Sequence, residues 1–260
     1  MKEVRMYAEE RQQAMTRLLQ DRGRASVADL AGEFAVTTET VRRDLSLLER
    51  AGLVRRVHGG AVPADSLAVM EAALAERDTA RVDEKETIAR AALDLLPPAG
   101  GTILLDAGTT TARLAGLLPR DRQLVVVTHA IPVAARLAGL PHVELHLLPG
   151  RVRPTTHAAV GAGTVGALGA FRADVAFLGT NAVAVEHGCS TPDPDEAAVK
   201  RAMVDAGRRV VVLADSSKLD HEATVRFAAL DEVDVLVTDA GADAEQRSRF
   251  AAAGPEVVVA

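Results

Sequence analysis

An apolar stretch near the middle of the chain leads into a glycine and three consecutive threonines, a combination that can hold an anion. The segment 102–105 is a predicted strand, and a turn of small residues connects it to a predicted helix. The candidate ligand-binding residues here are Asp106, Gly108, Thr109, Thr110 and Thr111. Glycine lets a ligand approach the backbone, N–H groups of a first helical turn face an anion, and hydroxyls add donors. A phosphate monoester fits these features, although threonines that only cap the helix would give the same string.

Polar residues also follow other apolar runs of this region, at the points where predicted strands end. They are Thr128, His129, Gly150, Arg153, Thr180, Asn181 and Lys218. Ligands of open parallel sheets bind at the carboxyl ends of the strands, so we expect these loops to converge on one crevice. A phosphate needs cations, and Lys218 and Arg153 are the candidates, unless each is an ordinary surface charge.

The elements that must position these residues alternate between strand and helix from about Lys85 onward. Predicted strands occupy 102–105, 124–127, 143–148, 175–178, 210–213 and 233–237. Predicted helices occupy 112–118, 133–138 and 197–206. Continuous Val, Leu and Ile runs with helices between them are typical of a mostly parallel sheet with helices on both faces. The predicted fold class of this region is therefore α/β.

The first 60 residues show a different pattern, with helical periods at 11–20, 27–34 and 38–50 and a strand-like run at 53–58. Ser26 and Thr37 are suitable N-caps for the second and third helices. The apolar face of the third helix consists of Val41, Leu45 and Leu48. Its polar face consists of Thr38, Thr40, Arg42, Arg43 and Ser46. This order of elements is typical of a helix-turn-helix followed by a wing.

A recognition helix of this kind fits the major groove of DNA and reads base edges from its N-terminal half. The candidate DNA-binding residues are Ser26, Thr38, Thr40, Arg42, Arg43, Arg55, Arg56 and His58. Arginine can donate two hydrogen bonds to guanine, and wing residues can reach phosphates or the minor groove. Alternatively, Arg42 and Arg43 form an ordinary solvated helix face. Asp44 would repel phosphates, so we expect it to be the buried partner of an arginine.

The composition is that of an ordinary globular protein with two unlike parts. The 260 residues are 48% hydrophobic and 25% charged, which excludes disordered, collagen-like and low-complexity chains. Residues 1–60 hold 11 Lys/Arg and 9 Asp/Glu, whereas 61–260 hold 19 and 27. The small excess of positive charge at the N-terminus and the acidic remainder indicate two units with different partners.

The chain lacks the patterns of a secreted, membrane-spanning, metal-binding or nucleotide-binding protein. It has no apolar run of about 18 residues and no signal-peptide pattern, so a cytoplasmic protein is expected. The single cysteine, Cys189, can form neither an intramolecular disulfide nor a Cys-rich zinc site. His142 and His146 lie in a predicted strand about 13 Å apart, too far to share a metal. The Gly-Lys-Ser/Thr ending of a Walker loop is missing, and residues 161–163 lack the full dinucleotide fingerprint, so no cofactor is predicted.

Two stretches of the first unit carry a family signature. Residues 37–45 read Thr-Thr-Glu-Thr-Val-Arg-Arg-Asp-Leu, and residues 52–61 read Gly-Leu-Val-Arg-Arg-Val-His-Gly-Gly-Ala. Together with Arg11, Met15 and Leu19, this pattern closely resembles the DNA-binding signature of the DeoR family of bacterial transcription regulators. The strand-end residues match the sensor domain of that family, so the resemblance covers nearly the whole chain. It implies a winged helix-turn-helix and a sensor whose fold resembles ribose-5-phosphate isomerase and CoA-transferase-like enzymes.

Residues 177–181, 186–188 and 190–203 resemble more narrowly the fructose-operon repressors of that family. This likeness implies a phosphorylated fructose, such as fructose 1-phosphate, as effector. The chain departs from the family pattern at three positions, which are His129, Pro149 and Ala182 in place of Asn, Gly and Gly. The predicted division is a DNA-binding domain at 1–60, a linker at 61–75 and a sugar-phosphate-sensing and oligomerisation domain at 76–260.

Three functions are compatible with the sequence. The first is a repressor of sugar-catabolism or sugar-uptake genes, whose partners are operator DNA, a sugar-phosphate effector and further copies of itself in a dimer or tetramer. The second is a sugar-phosphate isomerase-like enzyme with acid–base groups drawn from Asp106, Asp193, Asp195, Glu196 and Lys218. The third is a constitutive DNA-binding protein with a degenerate sensor. An isomerase would leave the DNA-reading unit unexplained, so the sequence favours the regulator.

Overall fold

The computed structural model describes residues 7–22, 25–57, 59–63 and 74–260. The chain forms two compact units, Met1–Met70 and Glu71–Ala260. The last strand of the first unit ends at Pro63, whereas the sequence prediction ends the first domain at residue 60. Residues 64–73 of the predicted linker lie outside the described residues.

Three helices and a small antiparallel sheet form the first unit. The helices are α1 (Ala8–Arg22), α2 (Val27–Glu33) and α3 (Thr38–Arg50). The strands are β1 (Ala25–Ser26), β2 (Val54–Val57) and β3 (Gly60–Pro63), in the order β1-β3-β2. The helices pack around a buried core that includes Met15, Leu19, Leu30, Val41, Leu45 and Leu48. The predicted helix-turn-helix with a hairpin wing is therefore confirmed.

Side-chain caps and one glycine set the local geometry of this unit. Ser26, a candidate DNA-binding residue, caps α2: its Oγ accepts the Asp29 N–H at 3.0 Å, and the Asp29 carboxylate bonds back in a capping box. Thr37 caps α3, because its Oγ1 accepts the Thr40 N–H at 3.2 Å. Gly60 lets β3 approach β1, because a Cβ at this position would lie 2.2 Å from the carbonyl oxygen of Ala25. Both predicted N-caps are confirmed.

The second unit alternates strands and helices along the chain. Its helices are α4 (Leu74–Thr79), α5 (Val82–Ala91), α6 (Thr109–Leu117), α7 (Ile131–Leu137), α8 (Ala162–Leu168), α9 (Pro194–Ala206) and α10 (Ala244–Ala252). Its first strands are β4 (Thr102–Leu105), β5 (Leu124–Thr128), β6 (Val143–Leu147), β7 (Arg151–Arg153), β8 (Ala158–Val160) and β9 (Val175–Gly179). The later strands are β10 (Ala182–Ala184), β11 (Gly188–Thr191), β12 (Val210–Leu213), β13 (Val225–Ala228), β14 (Val235–Thr238) and β15 (Glu256–Val259).

One seven-stranded sheet forms the centre of the second unit, in the order β15-β14-β12-β9-β4-β5-β6. Every neighbouring pair in it is parallel. Alternate residues of β4 enter opposite cores, since Leu104 packs in one buried cluster and Ile103 and Leu105 pack in the other. Both faces of the sheet are therefore covered, and the predicted α/β class is confirmed.

The sequence patterns did not indicate two smaller antiparallel sheets, β10-β11-β13 and β7-β8. Strands of three or four residues are too short to show a clear period. Helix α6 begins at Thr109, three residues before the predicted start. The predicted start is late because threonine has low intrinsic helix propensity, which hides the first helical turn in the sequence pattern. The three threonines therefore belong to the helix N-terminus.

Candidate functional site

The polar face of α3 presents the predicted DNA-reading side chains to solvent. Thr38, Arg42 and Arg43 are exposed, and Thr40 is partly exposed. The Arg42 guanidinium lies 3.3 Å from the Glu39 carboxylate, with the two side chains 53% and 84% exposed. An ion pair so well solvated is weak, so it leaves the Arg42 guanidinium available to another partner.

The wing is joined to α3 through Arg56. Its backbone N–H donates to Glu49 Oε1 at 2.8 Å, and its guanidinium donates to Ser46 Oγ at 3.0 Å. Ser46 in turn donates to the backbone carbonyl of Arg42 at 2.8 Å. The wing and the recognition helix thus form one connected polar surface.

Asp44 lies on the buried side of the same helix. Its carboxylate accepts hydrogen bonds from Arg11 Nε at 2.7 Å and from Gln12 Nε2 at 2.8 Å, which joins α1 to α3. The expectation of a buried arginine partner is confirmed. Of the other predicted DNA contacts, Arg55 lies in β2, but its side chain and the whole of His58 lie outside the described residues.

In the second unit, the order of strands reverses between β4 and β9. From β4 the chain proceeds through β5 to β6, and from β9 it proceeds through β12 and β14 to β15 on the other side. Such a switch point separates the loops at the carboxyl ends of the two strands, and ligands of α/β proteins bind there. The backbone N–H of Gly179, which ends β9, donates to the Asp106 carboxylate after β4 at 2.8 Å. The turns at 106–108 and 180–181 are therefore neighbours, as the sequence predicts.

Asp106 is fully buried at this point. Its carboxylate forms an ion pair with Lys200 of α9, and Lys200 also donates to the Gly179 carbonyl at 3.0 Å. Burial acts to raise the pKa of Asp106, but Lys200 and His129 outweigh it and lower the pKa to about 2. Asp106 is therefore ionised near neutral pH, and it joins β4, β9 and α9.

His129 is a further buried partner of Asp106. Its Nε2 lies 3.0 Å from Asp106 Oδ1, and its Nδ1 lies 2.8 Å from the carbonyl oxygen of Ala159. Because a carbonyl oxygen can only accept, Nδ1 carries a proton. The backbone N–H of Ala107 also lies 3.2 Å from Nε2. The imidazole is thus fixed inside the protein beside the turn that leads into α6.

The first turn of α6 contains the three threonines, none more than 8% exposed. Thr111 Oγ1 donates to the Gly108 carbonyl at 3.1 Å. Arg113 on the next turn donates to the Thr109 carbonyl at 3.0 Å, to the Asp78 carboxylate at 2.6 Å and to the Asp78 carbonyl at 2.8 Å. A cation therefore lies beside a helix N-terminus, and both features favour an anion.

Two lysines of this unit, Lys85 and Lys218, are linked electrostatically. Lys218 ends the short turn after β12 that Asp215 caps, and Lys85 of α5 donates to a preceding backbone carbonyl at 2.7 Å. Burial lowers the pKa of Lys85 to about 8; Asp215 opposes this shift, whereas Arg113 and Lys218 add to it. Lys85 therefore lies within electrostatic range of both Arg113 and Lys218. The structure thus brings the positive charges of Arg113 and Lys218 within range of Lys85, and Arg113 itself bonds to the first turn of α6.

Arg153, the other predicted phosphate ligand, has carboxylate partners. Its guanidinium lies 3.2 Å from Asp193 and 2.7 Å from Glu196, and its side chain is 13% exposed. Thr156 also donates to Glu196. The charge of Arg153 is therefore matched within the protein by two carboxylates.

The remaining predicted residues also have internal roles. Thr128 donates to a backbone carbonyl of β4 at 2.6 Å, and Thr180 donates to a backbone carbonyl of β10 at 2.7 Å. The backbone N–H of Asn181 donates to β11 at 3.2 Å. Gly150 permits close packing, because a Cβ there would lie 2.2 Å from the Thr164 hydroxyl. The first three of these residues border the switch point, whereas Gly150 precedes the separate β7–β8 hairpin.

Family models match both units of the chain. A model described as the DeoR C terminal sensor domain matches residues 80–240, and a model described as the DeoR-like helix-turn-helix domain matches residues 11–66. The chain belongs to the DeoR family. The resemblance identified from the DNA-binding signature and the strand ends is therefore confirmed.

Curated relatives match over nearly their whole length. The HTH-type transcriptional regulator GlpR of Haloferax volcanii is 37% identical over 97% of this chain and 98% of the relative. The uncharacterized HTH-type transcriptional regulator FruR of Bacillus subtilis is 34% identical over 90% and 92%, respectively. The glycerol-3-phosphate regulon repressor of Escherichia coli is 30% identical over 90% and 92%. These relatives are named as regulators of transcription, and the DeoR-family chain described here is a DNA-binding transcriptional regulator.

Solved structures show a partial likeness to this DeoR-family chain. Ribose 5-phosphate isomerase A from Methanocaldococcus jannaschii is 18% identical, covers 54% of this chain and 55% of its own, and has a TM-score of 0.41. The tetrameric eIF2B-beta2-delta2 complex from C. thermophilum is 16% identical over 84% and 74%, with a TM-score of 0.43. These values carry no inference about activity.

Two further findings concern the described part of the DeoR-family chain. None of its helices is both long enough and apolar enough to cross a membrane. Its described residues contain no group of three or more His, Cys, Asp or Glu side chains that could hold a metal ion.

The sequence reasoning missed three charged residues of the sensor, Lys85, Arg113 and Lys200. Lys200 offers a signal, because it lies four residues after Glu196 on the apolar face of α9 and both side chains are buried. A charge on a buried helix face requires a partner. Arg113 of α6 and Lys85 of α5 offer no such signal, since what surrounds them depends on how α4 and α5 pack.

Proposed function

We propose that this DeoR-family regulator represses sugar-catabolism or sugar-uptake genes, and that a phosphorylated sugar bound at the carboxyl ends of β4 and β9 controls its affinity for operator DNA. The observation that carries the proposal is the N-terminal turn of α6 at the carboxyl end of β4, where Arg113 donates to the Thr109 carbonyl and lies within electrostatic range of Lys85. Lys85 is in turn within range of Lys218. A phosphate monoester carries a charge of about -1.5 to -2 near neutral pH. Helix N–H groups, hydroxyls and several cations together suit such a group.

The sensor residues divide into two groups in this proposal. Residues 108–111 and Lys218 face the phosphate, with Arg113 and Lys85 adding positive charge. Asp106 and Lys200 position the turn, because both are buried and bonded to each other. Arg153 positions α9 through its two carboxylates.

Arg113 provides a connection from the bound phosphate to α4. Its guanidinium holds both the side chain and the carbonyl of Asp78, which lies in α4, while contacting the first turn of α6. A phosphate at α6 would compete with the Asp78 carboxylate for the same guanidinium. Effector binding would then weaken the attachment of α4, the first described element after Pro63 in the chain. An effector shifts the equilibrium between two conformations only if it binds them with different affinities, and this competition would provide such a difference.

On the DNA-binding unit, the exposed polar face of α3 reads base edges in the major groove. Arg42 and Arg43 are the main readers, since arginine recognises guanine with two hydrogen bonds. The wing supplies phosphate and minor-groove contacts. The supporting residues are Ser26, Thr38, Thr40, Arg55, Arg56 and His58. The regulator acts on its operator as a homo-oligomer, a dimer or a tetramer.

Fructose 1-phosphate is the effector we propose, on the likeness of segments within 177–203 to fructose-operon repressors. The relative named as a glycerol-3-phosphate regulon repressor makes glycerol 3-phosphate the second compound to test. The alternative of an isomerase requires a general base at the site. Asp106, with a pKa of about 2 and Lys200 as its ion-pair partner, is poorly suited to that role.

Operator binding by the full-length protein tests the proposal. An operator is first selected from random DNA, and its dissociation constant is then measured against fructose 1-phosphate, fructose 6-phosphate, ribose 5-phosphate and glycerol 3-phosphate. Fructose and inorganic phosphate are the controls. One phosphorylated compound is expected to change operator affinity about 5- to 150-fold, the usual range of allosteric coupling, and to be recovered unchanged. No response to any of them, or efficient isomerisation of one, would overturn the proposal.

A further inference from the structure

The outer edge of β6 has unpaired backbone groups among the residues that the structure describes. β6 is the last strand of the seven-stranded sheet, with β5 on its inner side only. His142 O accepts from Leu124 N at 3.0 Å, and Leu148 N donates to Thr128 O at 2.9 Å, so the even-numbered residues bond to β5. Backbone groups alternate in direction along a strand. The backbone carbonyls of Val143, Leu145 and Leu147 therefore point away from the sheet. The N–H groups of Leu145 and Leu147 point the same way.

The side chains of β6 form two chemically distinct rows. Val143, Leu145 and Leu147 form the apolar row, and the Leu147 side chain is 54% exposed. Glu144 and His146 form the polar row, with their side chains 71% and 42% exposed and 3.1 Å apart. Edge strands are usually protected by lysine, proline or a bulge, and this strand has none of these. It is an open edge of five residues that another strand can extend.

We propose that β6 pairs antiparallel with β6 of a second copy of this chain, about a two-fold axis at Leu145, so that the two seven-stranded sheets join into one. The residues are self-complementary in this register. Val143 faces Leu147 of the second copy, Leu145 faces Leu145, and Glu144 faces His146. Two-fold dimers require such a self-complementary surface.

The directions of the backbone N–H and carbonyl groups agree with this register. Leu145 directs both its N–H and its carbonyl outward, so the two copies of Leu145 can exchange two hydrogen bonds as a hydrogen-bonded antiparallel pair. The outward N–H of Leu147 reaches the outward carbonyl of Val143 in the second copy. On the polar row, each Glu144 carboxylate lies opposite His146 of the second copy and can accept a hydrogen bond from an imidazole N–H across the strand pair.

The opposite edge of the sheet lacks this complementarity. β15 comprises Glu256, Val257, Val258 and Val259, in which Glu256 is the charged residue. Two-fold pairing of β15 places the Glu256 carboxylate opposite either an apolar residue or Glu256 of the second copy. Like charges directly opposite each other destabilise a strand pair. The charge pattern therefore selects β6 as the self-pairing edge.

Cysteine cross-linking of the full-length protein tests the register. Leu145→Cys brings two cysteines to the axis with Cα atoms about 5.5 Å apart, within the range that a disulfide spans. Leu147→Cys is the matched control, since its two copies lie about 14 Å apart along the strands and cannot bond. The native Cys189 is buried. We expect mild oxidation to yield a covalent dimer of Leu145→Cys and not of Leu147→Cys on non-reducing gels. Equal cross-linking of both variants, or none of either, would overturn the proposal.

A charge exchange tests the polar row without altering the apolar one. Glu144→Arg is expected to weaken self-association about 2- to 30-fold, because two cross-strand pairs are lost. The double change Glu144→Arg with His146→Glu restores opposite charges and is expected to recover the wild-type value. Sedimentation velocity gives the association constants, and circular dichroism verifies folding. Failure of the double variant to recover association, with its fold intact, would contradict the proposed pairing.

Discussion

The exposed face of α3 and the buried cluster around Asp106 carry their charge in opposite ways. On α3, the side chain of Arg42 is 53% exposed, and its acidic neighbour Glu39 is 84% exposed. At the carboxyl edge of β4 and β9, the side chains of Asp106 and Lys200 are 0% and 5% exposed. The first pair is solvated and weak, whereas the second is enclosed by protein.

This difference separates residues whose side chains are available to bind a partner from residues that hold the structure of a site in place. An exposed arginine keeps its hydrogen-bonding groups available, and its removal scarcely affects folding. A buried ion pair leaves an uncompensated charge in the core when one partner is removed. Substitutions on the exposed face of α3 should therefore change DNA affinity, and substitutions at the Asp106 cluster should change stability first.

The largest effect is expected for Lys200→Met. This change leaves the Asp106 carboxylate buried without its cation and should lower the free energy of unfolding by about 3–5 kcal/mol. Urea unfolding followed by circular dichroism measures it. Lys218→Met is the matched control, since Lys218 is only partly buried and its loss should leave the unfolding free energy nearly unchanged. Equal stability of Lys200→Met and wild type would remove the proposed contrast between the two regions.

Lys218→Ala should impair effector binding and spare DNA binding. A charge-assisted contact to phosphate contributes about 1.5–3 kcal/mol, so the effector dissociation constant should rise about 10- to 150-fold. Titration calorimetry and effector-dependent operator binding measure this change. Arg208→Ala, at a side chain that is 78% exposed, is the control. A folded Lys218→Ala protein with a wild-type effector response would make Lys218 an ordinary surface lysine.

Arg42→Ala should cost about 1–3 kcal/mol on operator DNA and relax base preference at the position that Arg42 reads. Binding to a panel of single-base operator variants measures both quantities. Unfolding stability is expected to stay near that of wild type, because the ion pair with Glu39 is solvated. Unchanged operator affinity for both Arg42→Ala and Arg43→Ala would contradict the docking of α3 in the major groove.

Arg56→Ala should weaken binding to all DNA sequences to a similar degree. A phosphate contact carries no sequence information, and its loss should lower the slope of log affinity against log salt by about one. Salt titrations on operator and random DNA measure the slope. A loss confined to the operator would make the wing a reader of sequence.

The smallest effect concerns pH and Lys85. Its pKa is lowered to about 8 in the folded protein, so Lys85 loses its proton as pH rises through that value. If a bound phosphate requires the charged form, the effector dissociation constant should rise about twofold between pH 7 and pH 8. Calorimetry across this range gives the profile, and Lys85→Met should remove this dependence. A wild-type profile identical to that of Lys85→Met would show that the charge of Lys85 does not contribute to phosphate binding.

The sequence predictions are accurate for features that depend on local interactions and miss several contacts between distant segments. The α3 prediction matches residue for residue, because its N-cap Thr37 and its period of apolar residues are local features. The strand prediction at 102–105 also matches β4. The partner of Arg153 was not predictable, because Glu196 reaches it from α9, 43 positions further along the chain.

The sequence by itself determined the two units, their classes of fold and the exposed polar face of α3. Caps, periodicity and continuous apolar runs act over a few residues and can be read directly along the chain. Only the tertiary structure decided which charges stay available to a ligand. It paired Asp106 with Lys200 and Arg153 with Glu196, and it brought Lys85 within electrostatic range of Arg113 and Lys218. Burial and distance between remote segments set these pairings, and neither quantity is encoded in local residue spacing.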